Sequence, residues 1–344
     1  MSAQTEPAPP AGRGRRTAAL VIGVAVSVGL LWWAMRGLRP SDVVRHVRAA
    51  PLLPVLLAVL VATLTFPLRA LRWRLLLREP DGAPLRGSAA WHAVTMGYAA
   101  NNLLPFRAGE VLRAYAASRL APVRMSSAFA SVAVERVFDA LTVVALFGVA
   151  LFSSGMSTEV RIGGLALPEV ARRVGILTAI VFIGAAVVLT KTEASAKLIT
   201  RLIPWPAVSG KLVAVLRGIR DGLSALRSPA RLAAVVGWSI VIWAVNAFSF
   251  QMLFPAFGID VGFAGAVILQ SAIVFGIAVP SSPGFVGVFE AAIVVALALY
   301  SVPQDRALAF ALTYHASTFL PITVMGLYSA YRTGLGWKTV NGEE

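Results

Sequence analysis

Long apolar stretches recur along this chain, among them Thr17 to Met35, Val174 to Thr190 and Ala230 to Phe257. A run of about 20 apolar residues crosses the hydrocarbon core of a bilayer as a helix, because a helix satisfies its own backbone hydrogen bonds where no water can. A single soluble core needs no such lengths. Composition agrees: 58% of the 344 residues are hydrophobic and 14% are charged, whereas soluble domains carry roughly a quarter of their residues as charges. The expected fold class is all-α, a polytopic integral membrane protein.

The formal net charge of +15 would suggest nucleic acid in a soluble protein. Here Lys and Arg cluster between the apolar segments, which is how cytoplasmic loops are marked. No basic face with interleaved aromatics survives once the spans are removed, so nucleic acid is not an expected partner. Cysteine is absent, which excludes a disulfide framework, a thiolate metal site and a cysteine nucleophile. His46, His92 and His315 have no zinc-site spacing, and no P-loop, serine elbow or dinucleotide fingerprint occurs; neither metal nor cofactor is expected.

Six clear spans are predicted near 17 to 35, 52 to 77, 126 to 152, 170 to 190, 230 to 257 and 305 to 331. Met1 to Arg16, rich in Pro and Ala, reads as a disordered basic tail, and 333 to 344 as a C-terminal tail. The first apolar run ends in Trp32, Trp33 and Arg36 without a small-residue cleavage site, so it reads as an uncleaved span rather than a signal peptide. Regions 87 to 120 and 262 to 302 are apolar but interrupted, the first by Asn101, Asn102, Pro105 and Gly109, the second by Pro280, Pro283, Gly284 and Gly287.

Charge sets the expected orientation. Basic residues fill the segment Lys191 to Arg231, whereas Gly258 to Gly262 has none, so the first is placed inside and the second outside. Arg13, Arg15 and Arg16 put the N-terminus on the cytoplasmic side of a cell membrane. Arg69, Arg72, Arg74, Arg78 and Arg86 do the same for the end of the second span, and the C-terminus follows; Arg36, Arg39, Arg45 and Arg48 run against the scheme. The two interrupted regions then become broken or re-entrant hairpins entering from opposite faces. Within one transmembrane domain, 17 to 332, the halves 17 to 152 and 170 to 331 form an inverted repeat. Its best trace is Pro105, Gly109 and Glu110 against Pro283, Gly287 and Glu290. The same residues equally admit ordinary spanning helices kinked by Pro and Gly. Within the cytoplasmic segment 191 to 231, Leu212, Leu216, Ile219, Leu223 and Leu226 recur opposite Arg217, Arg220 and Arg227, which predicts an interfacial amphipathic helix.

Ionisable groups inside spans cost roughly 2.5 to 3.5 kcal/mol on insertion scales, which makes three clusters candidates. In the first, Asn101, Asn102, Arg107, Glu110 and Arg113 surround a break whose helix-end amides, with Arg107 or Arg113, suit a phosphate; placement of all of them at the cytoplasmic interface is the alternative. In the second, Glu135, Arg136 and Asp139 lie about 14 Å into their helix at 1.5 Å per residue. Arg136 reaches Asp139 one turn on, which leaves one negative charge for Arg107, Arg113, a proton or a cationic headgroup. A purely structural network between helices is the alternative there. In the third, Ser282, Gly284 and Gly287 form a turn that a headgroup or another chain can approach closely, with Glu290 in the following helix; Glu290 reads either as functional or as a helix cap.

At these clusters the chain resembles the lysylphosphatidylglycerol synthase transmembrane family, also described as flippase-like domain proteins. The resemblance spans roughly residues 20 to 331. It rests on Asn102-Leu-Leu-Pro105-Phe-Arg107-Ala-Gly109-Glu110 with Arg113, on Glu135-Arg136-Val-Phe-Asp139, and on Pro280-Ser-Ser-Pro283-Gly284-Phe-Val-Gly287-Val-Phe-Glu290. It implies translocation of lipid headgroups or assembly of aminoacylated, glycosylated or hopanoid lipids, with a membrane phospholipid or polyprenyl-linked lipid as partner. His315 stands where the family often has Arg, before Thr318 and Pro321. With no soluble transferase domain before Glu344, lysyl-lipid synthesis is not expected. The leading expectation is a translocase that passes a phosphate-bearing headgroup through a midplane cavity. Two others stand beside it: a non-catalytic membrane partner of a lipid-modifying enzyme, and an intramembrane glycosyl or aminoacyl transferase using Glu110 or Glu290 as a base.

Overall fold

A computed structural model of the protein describes residues 13–105, 107–153, 191–206, 228–278 and 281–335, with isolated positions between 161 and 213. Its helices, in order, are α1 (Arg13–Met35), α2 (Pro40–Ala49), α3 (Leu52–Leu76), α4 (Gly87–Leu103), α5 (Ala108–Leu120), α6 (Met125–Ser153), α7 (Thr192–Leu202), α8 (Pro229–Leu253), α9 (Phe263–Gly276), α10 (Val288–Ala298) and α11 (Gln304–Thr333). The strands Arg161–Ile162 and Leu165–Ala166 form a two-residue antiparallel pair. The protein is thus all-helical in substance, as composition required.

Among the described residues, Leu52–Leu76, Met125–Ser153, Pro229–Phe257 and Gln304–Thr333 are long and apolar enough to cross a bilayer. Val21–Met35 with Pro40–Ala49 passes the same test as a pair bent by 83°. This makes a multi-pass membrane protein of four such helices, or five with the bent pair, where six clear spans were expected. Most of the expected span at 170 to 190, the amphipathic stretch from Leu216 to Arg227, the tail before Arg13, most of the C-terminal tail and Pro280 lie outside the described residues.

On α3 the division of faces is plain. Leu52, Leu56, Leu60 and Leu64, one every fourth residue, are exposed, while Ala58, Ala62, Thr65, Arg69, Arg72 and Trp73 are buried. One stripe therefore meets lipid, and the other, built from small and polar residues, meets helices. α3 packs on α8, α4 on α5 and α11, α6 on α5 and α9, and α10 on α9 and α11.

Both interrupted regions are broken helices. The first stops after Leu103 and restarts at Ala108; the second stops after Gly276, passes through a short turn at Pro283–Phe285 and restarts at Val288. Each second helix starts from a residue with positive φ, Arg107 at 53° and Gly287 at 88°. Close approach explains the glycines. A Cβ on Gly109 would lie 1.9 Å from the Gly97 carbonyl oxygen, and one on Gly287 would lie 2.0 Å from that of Ser27 on α1. Ser27 Oγ also accepts the Ser282 amide at 2.9 Å, so α1 braces the second break.

Between α1 and α3, the arginines that ran against the orientation scheme fall on and beside α2, an amphipathic helix with Val43 buried. Arg45 on it bonds Asp42 at 3.0 Å, and His46 bonds Asp305 at the start of α11 at 3.0 Å.

Gly287→Ala combines a clash with backbone and a left-handed φ. It should destabilise the protein by about 2 to 3 kcal/mol, measured as a fall in the unfolding midpoint in detergent micelles.

Candidate functional site

Six charged side chains from three helices meet inside the helical domain. Arg69 and Arg72 come from α3, Arg113 from α5, and Glu135, Arg136 and Asp139 from α6. Arg113 Nη1 and Nη2 donate to the two Glu135 carboxylate oxygens at 2.8 and 2.9 Å, a bidentate pair. Its guanidinium also lies 4.0 Å from the centre of the Trp73 ring. Arg72 Nη1 donates to Asp139 Oδ1 at 2.7 Å and to Ser239 Oγ on α8 at 2.8 Å. Arg136 Nη2 bridges Glu135 and Asp139, the latter at 3.2 Å. Trp243 of α8 donates its indole N–H to Asp139 at 3.1 Å. Arg72 and Glu135 are fully buried, and such charges survive in a low dielectric only when each is met by an opposite one.

This corrects the expected sign. The reading of Glu135, Arg136 and Asp139 leaves one negative charge for a partner, but four arginines face these two carboxylates and Glu110, which lies 3.9 Å from Arg136, a surplus of one positive charge. Arg69 and Arg72, expected near the cytoplasmic end of their span, turn inward with the buried face of α3. Their spacing, Arg69-x-x-Arg72-Trp73 in line with Ala58, Ala62 and Thr65, is the signal that would have revealed it. Arg113, expected either as a phosphate ligand or as the partner of the spare carboxylate, is buried and takes the second role with Glu135.

Beside this lattice lies a cavity of about 240 Å³ that both breaks help to line. The first break contributes Asn102, the second Gly284 and Phe285, and α11 contributes His315 and Thr318; Arg69 and Arg136 face it from the lattice. Asn102 Nδ2 donates to Thr323 Oγ1 at 2.9 Å, and a Cβ on Gly284 would lie 3.2 Å from the Asn102 carbonyl oxygen. Arg107, exposed, crosses between the breaks to donate to the Ile277 carbonyl at 2.9 Å. Asn101 Oδ1 accepts the Gly109 amide at 2.9 Å, closing the start of α5. Glu110 lies 3.9 Å from Arg136. Phe285, on the cavity wall, adds a second strained backbone with φ 61°.

Glu290 is both cap and partner. It accepts the Gly287 amide at 2.6 Å, and its other oxygen meets His315 Nδ1 at 2.6 Å. His315 Nε2 lies 2.9 Å from the Gly284 carbonyl. Both ring nitrogens thus face acceptor oxygens. Ser282 donates its hydroxyl to the Val286 carbonyl at 3.3 Å. The site therefore draws Asn102, Arg136, Gly284 and His315 to one cavity. It places Arg113, Glu135 and Asp139 behind its wall, and Asn101, Arg107, Glu110, Ser282, Gly287 and Glu290 in the supports of the two breaks.

Broken helices beside a charged interior and a cavity of mixed polar and apolar lining define a polytopic membrane protein with irregular backbone where it lines a cavity. The chain belongs to the family described as Lysylphosphatidylglycerol synthase TM region, whose match covers residues 20–326. It is similar to the glycosyltransferase AglD of Haloferax volcanii, 28% identical over 333 residues, which cover 88% of this chain and 52% of that protein. The chain thus spans about half the length of that relative. It is also similar to a UPF0104 membrane protein of Methanothermobacter thermautotrophicus, at 23% identity over 88% of this chain and 90% of the other. One from Pyrococcus horikoshii is 24% identical over 86% and 89%.

Arg113→Met leaves the buried Glu135 without its bidentate partner and should cost about 3 to 5 kcal/mol of stability. Arg107→Met, at an exposed position, should cost no more than about 1 kcal/mol. Parallel unfolding titrations in micelles compare the two.

Proposed function

We propose that the protein is a lipid translocase that passes a phosphate-bearing headgroup through the cavity between its two breaks. The observation that carries this reading is the surplus of arginine at a cavity built from both breaks, with Arg69 and Arg136 on its wall. Arg69 meets its carboxylate only at 3.7 Å and otherwise lies near the rings of Tyr98 and Trp243, which leaves guanidinium donors for an anion. These two arginines replace Arg107 and Arg113 as the phosphate ligands. Membership of a lipid-associated family supports the same direction.

An inverted repeat fits this reading. α3 corresponds to α8, the pair α4–α5 to α9–α10, and α6 to α11. Under that exchange the packing of α4 on α11 becomes the packing of α9 on α6, and α5 on α6 becomes α10 on α11. Glu110 and Glu290 each stand third in the helix that follows a break. The two breaks then enter from opposite sides of the cytoplasmic membrane, with both termini inside, and α2 lies along the outer face.

A second reading, a non-catalytic membrane partner of a lipid-modifying enzyme, is favoured by the alignment with about half of AglD. The transferase reading is weakened by its bases: Glu290 is held by His315 and the Gly287 amide.

Vesicles containing the purified protein should move fluorescent anionic phospholipid or a labelled polyprenyl phosphate between leaflets faster than empty vesicles. Arg69→Gln should cut that rate about tenfold or more, the loss of one charge-assisted hydrogen bond, while the protein stays monodisperse. Leaflet distributions identical to those of empty vesicles for both lipids would refute the translocase and leave the partner reading, tested by stoichiometric co-purification of an enzyme.

A further inference from the structure

The cavity also carries information about the rest of the headgroup. Its lining among the described residues contains no Asp or Glu. The nearby carboxylates already face basic side chains, Glu135, Asp139 and Glu110 arginines and Glu290 His315. A cationic headgroup would meet Arg69 and Arg136 on a lining with no carboxylate to accept it, an arrangement that disfavours it. Besides His315 and aliphatic side chains such as Ile273 and Ile322, the wall offers two kinds of group. Amides and hydroxyls come from Asn246, Gln270 and Thr318, and flat faces from Trp243, Phe285 and Phe289.

Gln270 is the sharpest of these features. It is 1% exposed, and neither its Oε1 nor its Nε2 meets a hydrogen-bond partner among the described residues. A buried primary amide with both ends unpaired costs about 1 to 3 kcal/mol per group, so a leucine there would serve the fold better. One amide offers a donor and an acceptor side by side, the match for neighbouring hydroxyls that each donate and accept. Aromatic faces suit the C–H surface of a ring. At about 240 Å³, below the roughly 300 to 1,000 Å³ of pockets for drug-sized ligands, the cavity holds a headgroup and leaves the acyl or prenyl chains in the bilayer.

We infer that the cavity selects lipids whose phosphate bears an uncharged polyhydroxyl group, a sugar or a cyclic polyol, and that Gln270 reads those hydroxyls. The inference rests on the headgroup reading above and adds the class of headgroup. Two lipid sources share this chemistry, a polyprenyl-phosphoryl hexose and phosphatidylinositol.

Binding of four lipids to the purified full chain, titrated by native mass spectrometry and by thermal shift in micelles, tests it. Phosphatidic acid supplies the bare phosphate, lysylphosphatidylglycerol the cationic headgroup, and the two polyhydroxyl lipids complete the set. At least one polyhydroxyl lipid should bind about tenfold tighter than phosphatidic acid, its identity naming the source, and lysylphosphatidylglycerol should bind more weakly than phosphatidic acid. Q270L should melt no lower than the parent protein, bring the polyhydroxyl lipids down to the level of phosphatidic acid, and leave phosphatidic acid unchanged. Q270M, closer in shape, stands in if Q270L does not fold. Equal binding of phosphatidic acid and both polyhydroxyl lipids, a preference that survives the Gln270 substitutions, or tightest binding of lysylphosphatidylglycerol would overturn the inference. Failure of all four lipids to bind would instead overturn the headgroup site itself, as would R69Q leaving all four affinities unchanged.

Discussion

The charge lattice joining Arg69, Arg72 and Arg113 to Glu135, Arg136 and Asp139 is the constraint on which the rest of this structure depends. Each of these groups would be prohibitive alone in a hydrocarbon slab, so α3, α5 and α6 must arrive together, with α8 supplying Ser239 and Trp243 to complete the shell. Buried ion pairs are weak sources of net stability because desolvation offsets their attraction. Their value here is positional. They fix the rotation of four helices and leave a positive surplus facing one side, where the cavity forms.

The breaks answer a different constraint. Backbone that leaves the helix at membrane depth exposes amides and carbonyls to a medium that cannot satisfy them. Here each break is satisfied by its neighbours: Asn101 takes the Gly109 amide, Arg107 caps the Ile277 carbonyl, Glu290 takes the Gly287 amide, and Ser27 takes that of Ser282. Such contacts need close approach, and Gly97, Gly109 and Gly287 permit it. The irregular backbone of both breaks is thereby turned toward one another, which gives the cavity two unlike walls, a cationic one from α3 and α6 and one rich in aromatic and aliphatic side chains from α8 to α11.

α2 illustrates how local and global signals diverge. As sequence, Arg36, Arg39, Arg45 and Arg48 contradict a positive-inside pattern. In the fold those of them that lie in helix ride on a short amphipathic segment turned 83° from α1 and tied to the start of α11. A basic helix of that kind gains from anionic headgroups at either face, so its charges carry less topological weight than those of a loop.

The sequence by itself determined the membrane class, the positions of α3, α6, α8 and α11, and the two interruptions, because apolar length and the placement of Pro, Gly and Asn are local properties of the chain. The motifs around Asn102, Glu135 and Glu290 were legible as candidates for the same reason. Which charges meet was settled only by tertiary structure. Arg69 and Arg72 read equally as loop-flanking anchors or as inward ligands until the buried face of α3 is known, and Gln270 is unremarkable until it is seen without a partner. The sign of the interior depended on side chains separated by up to 70 residues along the chain, Arg69 and Asp139, and no one-dimensional pattern carries that sum, since it depends on how four helices are rotated against one another.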